Sequence, residues 1–126
     1  MVDGKYSMLI NSEGSCRQFI ANDGCKIREL LHPKNDPIAL GFSLASAEIA
    51  AGQASYRHRL AQAEVYYIVS GTGEMHIGEE VQAVQVGDAV FIPAHETQWI
   101  KNIGSDVLKF IAIVAPPWCS EDDVRL

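Results

Sequence analysis

Gly52-Gln-Ala-Ser-Tyr56-Arg-His58-Arg-Leu60-Ala-Gln-Ala-Glu64-Val-Tyr66-Tyr-Ile68-Val-Ser-Gly71 sets an imidazole and a carboxylate between two glycines. In an extended chain, successive side chains alternate between faces. His58 and Leu60 therefore share one face before a turn, and Glu64, Tyr66 and Ile68 share one face after it. Pairing of these strands across Ala61-Gln62-Ala63 would bring His58 and Glu64 together. By the same alternation Tyr56 joins the face of His58 and Tyr66 that of Glu64. Both rings are thus candidates for the wall of a ligand pocket, with Trp118 of the C-terminal tail as a third. Arg57 and Arg59 fall on the opposite face, suited to solvent or a subunit contact.

Outward from this stretch, the chain reads as short strands and tight turns. Ahead of it, apolar runs from Tyr6 to Ile10, Arg17 to Ile20 and Cys25 to Leu31 are separated by Ser-Glu-Gly-Ser and Asn22-Asp23-Gly24. Asp-Gly readily takes the positive φ of a hairpin, which predicts a strand from Cys25 to Leu31. Two prolines make His32 to Pro37 a loop, with His32 on its surface. Leu40, Phe42 and Leu44 alternate and lead towards Gly52, with Phe42 read as core. After Gly71, Glu74–Ile77, Glu80–Val86, Ala89–Ile92, Thr97–Asn102 and Val107–Ala115 continue the period-two pattern. His76 alternates to an outer face. Ser120 ahead of Glu121, Asp122 and Asp123 can cap one short helical turn.

Strands with closely spaced turns and no helical period indicate an all-β sandwich or barrel, and a jelly roll is the expected form. At 126 residues the chain holds one hydrophobic core. Residues 1–37 read as N-terminal strands and a linker that pack on the barrel or on a second subunit, and residues 38–126 as the barrel with its C-terminal tail. A net charge of -6 argues against a nucleic-acid partner. No apolar run approaches the roughly 20 residues of a membrane helix, and the N-terminus lacks a secretory pattern, so a cytoplasmic location is expected. Cys16, Cys25 and Cys119 are odd in number and irregular in spacing, which predicts free thiols.

The central stretch resembles the first motif of the cupin superfamily: a glycine, five residues, His-any-His, three or four residues, a glutamate, six residues and a glycine. Gly52, His58, Glu64 and Gly71 fall in that register. The second motif is a glycine, five residues, proline, any residue, glycine, two residues, histidine, three residues and asparagine. Gly87, Pro93 and Asn102 match it. The resemblance implies a cupin jelly-roll β-barrel, also called a double-stranded β-helix, and a homodimer. It also implies a divalent metal (Zn, Mn, Fe or Ni) held at His58 and Glu64, with Gln98 standing where the family's last histidine would be. Leu60 occupies the second histidine position and cannot ligate, so such a metal would be weakly held. His95 replaces the glycine of the second motif, which points to a turn before it points to a ligand.

Two readings of the same cavity stay open. In the first, the barrel binds a small polar molecule, with His58, Glu64 and Gln98 hydrogen-bonding one another or the ligand. In the second, it is a metal-dependent enzyme of the sugar-phosphate isomerase or dioxygenase kind. Loss of two histidine positions favours binding over oxygen chemistry. No phosphate-cradling glycine loop, Gly-x-Ser-x-Gly elbow or Cys/His nucleophile pair is present.

Overall fold

Period-two alternation becomes eleven strands among residues 8–126, the part of the chain described by a computed structural model. In chain order they are β1 (Gln18–Ile20), β2 (Lys26–Leu31), β3 (Ser43–Ile49), β4 (His58–Leu60), β5 (Ala63–Ser70) and β6 (Thr72–Ile77). β7 (Glu80–Gln85), β8 (Ala89–Ile92), β9 (Thr97–Asn102), β10 (Leu108–Ala115) and β11 (Asp123–Arg125) follow. They form two antiparallel sheets. One runs β1-β2-β3-β10-β5-β8 and the other β11-β4-β9-β6-β7. This is the all-β jelly roll that the turn spacing predicts. Among the described residues its helical content is confined to single turns, Glu13–Ser15 and Ser120–Asp122. Among the described residues no helix is long and apolar enough to cross a membrane.

Inward positions recur at every second residue. Leu108, Phe110, Ala112 and Val114 on β10, Glu64, Tyr66 and Ile68 on β5, and Gln98, Ile100 and Asn102 on β9 are all buried. Large side chains fill one end of the barrel, where Ile68, Met75, Ile92, Ile100, Leu108 and Phe110 form a common cluster. Tyr66 lies against Phe110 with ring centroids 4.2 Å apart. Further along the same face of β10 the side chains shrink to Ala112 and Val114, and here a cavity opens.

Two motif residues hold the strand ends. Gly71 sits at φ 81°, and a Cβ there would lie 2.7 Å from the Val107 carbonyl oxygen. Only glycine fits the β5–β6 corner. Asn102 is buried and bonded at both ends of its amide. Its Nδ2 donates to the Ile49 and Asp106 carbonyls at 2.9 and 2.8 Å, and its Oδ1 accepts the Gly104 N–H at 2.9 Å. Asn102→Ala strands these buried groups, so a loss of about 2 to 3 kcal/mol is expected in urea unfolding. A loss under about 0.5 kcal/mol, the level of an ordinary surface change, would contradict the role given to this amide.

Several local expectations are revised. Of the strand expected at Tyr6–Ile10, the first two residues lie outside the described residues, and Met8, Leu9 and Ile10 form no strand. β3 begins only at Ser43, and Phe42, expected in the core, is exposed because it precedes the strand. His32 is buried rather than on the surface. Its Nδ1 accepts the Lys34 N–H at 3.0 Å, which leaves Nε2 to donate to the Trp118 carbonyl at 2.7 Å. The loop is thereby fastened to the C-terminal segment. All three cysteines are free.

Candidate functional site

β4 and β5 do not pair with each other. β4 lies between β11 and β9 in one sheet, and β5 between β10 and β8 in the other. His58 and Glu64 therefore reach the same cavity from opposing sheets. His58 is in register with Gln98 on β9. Gln98 crosses the barrel: its Nε2 donates to Glu64 Oε1 at 3.1 Å, and its Oε1 accepts the Tyr66 hydroxyl at 3.2 Å. One amide thus links the sheets through two residues of β5.

The imidazole of His58 is 2% exposed and flanked by two carboxylates from distant segments. Its Nδ1 donates to Asp123 Oδ1 at 2.9 Å, and Asp23 Oδ2 lies 3.6 Å from Nε2, too far for a hydrogen bond. Nε2 is a buried polar atom with no hydrogen-bond partner among the described residues. The other oxygen of Asp123 accepts the Trp118 indole N–H at 3.0 Å, so one carboxylate orients both the imidazole and the indole. Burial disfavours the His58 imidazolium. The Asp123 hydrogen bond and the charges of Asp23, Asp123 and Glu64 outweigh it, and the pKa is raised. Glu64 is pushed up to about 8, chiefly by burial and against the opposing effect of His58.

The cavity measures about 50 Å³. Its walls include Phe19, Leu44, Ala112, Val114 and Trp118, and its polar groups are Asp23, Glu29, Ser43, His58, Glu64 and Asp123. Comparison with known proteins adds the lineage. The cupin domain family matches residues 45–114. The chain is a cupin. It is 37% identical to an uncharacterized protein of Methanocaldococcus jannaschii over 84% of this chain and 85% of that one. Its fold is similar to a predicted oxalate decarboxylase of Thermotoga maritima, with a TM-score of 0.75 and 21% identity over 86% of this chain and 99% of that one. An oxalate decarboxylase of Bacillus subtilis gives a TM-score of 0.73 and 22% identity over 85% of this chain and 29% of the other. At these identities the likeness to the solved structures is one of fold.

In this cupin the six residues singled out from the sequence divide by location. His58, Glu64 and Trp118 line the cavity, while Gln98 and Tyr66 are buried partners of Glu64 and lie outside the lining. Tyr56 also lies outside it. Regular alternation starts only at His58, and Tyr56 is instead tied by its N–H to the Asp23 carbonyl at 2.6 Å, with its ring against Gly24 and beneath the Arg125 guanidinium. His95 is an exposed turn residue at φ 69°. His76 stacks on Trp99 and bonds Glu74 away from the cavity. Asp23 and Asp123 are the residues that sequence reading passed over, one as a hairpin former and one as part of an acidic tail. Both lie outside the matched span, and no local pattern marks a carboxylate that meets an imidazole 65 residues away.

The donors at the family's metal positions do not fit a metal. Leu60 is a buried aliphatic side chain, and the Gln98 amide is engaged at both its oxygen and its nitrogen. Among the described residues no three His, Cys, Asp or Glu side chains gather in a geometry that would hold an ion. What the arrangement offers instead is a polar floor, one unpartnered imidazole nitrogen and an apolar wall.

Proposed function

We propose that this cupin binds a small polar molecule in its barrel cavity, through hydrogen bonds to His58 and Glu64 and packing on Trp118. The observation that carries this reading is His58 Nε2, a buried polar atom that borders the cavity and has no partner among the described residues. Such an atom costs about 1 to 3 kcal/mol unless something bonds it, and a ligand in the cavity is placed to do so. Gln98 and Tyr66 act behind Glu64 by holding its carboxyl in place. The metal-dependent alternative, an isomerase or dioxygenase, lacks a donor set of its own here. A cytoplasmic setting suits the three free thiols.

Filling the cavity tests this. Ala112 is the small residue that leaves the space, so Ala112→Leu should keep the fold while occluding the site. A panel of small polar molecules is expected to raise the melting temperature of the natural chain. At about 100 times its Kd, a bound molecule adds about 2.7 kcal/mol. The rise should vanish in Ala112→Leu and in His58→Ala. Equal shifts in all three proteins would place binding elsewhere.

A homodimer is proposed through the N-terminal face. Met8, Ile10 and Ile20 are 87%, 74% and 64% exposed, and among the described residues β1 is one of the two edges of its sheet. An open, apolar edge is a template for another chain. Ile10→Asp combined with Ile20→Asp should give a monomer in light scattering. An unchanged mass would move the interface away from this edge.

A further inference from the structure

Among the described residues, the four acidic side chains around the cavity, Asp23, Glu29, Glu64 and Asp123, face a single imidazole and no lysine or arginine. His58 and Trp118 occupy both oxygens of Asp123. Asp23 takes the Cys25 N–H on Oδ1 at 3.0 Å and turns Oδ2 towards the cavity side of His58, 3.6 Å from Nε2. Glu64 accepts Gln98 on Oε1. The polar floor is therefore rich in acceptors and poor in donors. An anion entering it would meet carboxyl groups with only one base to answer them.

We infer that the occupant selected by this cavity is a small organic cation of the amidinium or ammonium type, its charge met by Asp23, with Glu64 and His58 Nε2 beside it as uncharged hydrogen-bonding groups. This rests on the cavity-binding reading above and adds the charge of the ligand to it. Size sets the upper limit. A space of about 50 Å³ holds about three or four waters, and so a molecule of about as many non-hydrogen atoms. An N–H-bearing cation supplies the donors that the floor lacks, while Ala112, Val114 and Trp118 take its carbon atoms. The fold's likeness to oxalate decarboxylases does not extend to the charge required, because a dicarboxylate would oppose Asp23 directly.

Acetamidinium, acetamide and acetate provide the test, since they match in size and shape and differ in charge. Binding is followed by calorimetry and by the His58 imidazole resonances. Acetamidinium should bind at least about tenfold more tightly than acetamide, a difference of one decade in Kd, and acetate least. Asp23→Asn should remove that preference. Tighter binding of acetate or acetamide, with His58 perturbed, would overturn the cationic assignment and leave the cavity reading standing. If none of the three perturbs His58, or if all bind Ala112→Leu equally well, both fail. Competition of zinc or manganese against acetamidinium at His58 in the natural chain would also overturn the inference, by making the selected cation inorganic.

Discussion

Replacing both Leu60 and Gln98 by histidine is expected to convert this barrel into a metal site. Leu60 shares the inward face of β4 with His58, and Gln98 stands beside His58 on β9, so all three positions lie on one sheet opposite Glu64. Three imidazoles and a carboxylate suit zinc or nickel. Calorimetry should move from no saturable binding at millimolar metal to micromolar affinity or better, a gain of about 4 kcal/mol or more. A bound ion would also draw Glu64 into its ionised form, so affinity should rise with pH. If the double variant folds and still shows no saturation, the four inward positions do not converge as the register requires.

The second large effect concerns pH. Glu64 titrates near 8 in the folded chain, against an ordinary value of 4.5. A carboxyl raised in this way adds stability that is complete below pH 4.5, declines as pH rises, and is lost by the time pH passes 8. His58, also raised, acts in the same sense: its contribution is present below 6.5 and is lost as pH climbs through its folded value. Glu64→Gln keeps the shape and the acceptor for Gln98 but does not titrate. Relative to the natural chain it should gain on the order of 5 kcal/mol between pH 4 and pH 9, one pKa unit being worth about 1.4 kcal/mol. Urea midpoints measured across that range report the difference. Parallel curves for the two proteins would show that Glu64 is not the buried acid described here.

Behind both expectations lies a site only partly legible in the sequence. The inward faces of β4 and β5 follow from period two alone, and so does the company of His58 with Leu60 and of Glu64 with Tyr66 and Ile68. Gly71 and Asn102 could be picked out by spacing, and their reasons are local: a positive φ against a neighbouring carbonyl, and an amide that ties three backbone groups. Tyr56 shows where alternation stops being a guide. Its segment is not yet strand, and hydrogen bonding to Asp23 decides where its ring goes.

The sequence by itself determined the all-β architecture, the inward faces of its strands and the motif that singles out His58, Glu64 and Gln98, because side-chain alternation and turn chemistry act over a few residues. Tertiary structure decided which sheet each strand joins, and so sent β4 and β5 to opposite walls instead of pairing them as a hairpin. It also decided the chemistry of the cavity. Asp23, Asp123 and Trp118 come from the two ends of the chain, and burial sets the protonation of Glu64. Contacts across such distances in sequence depend on how whole sheets close on one another, and burial is a property of the closed barrel.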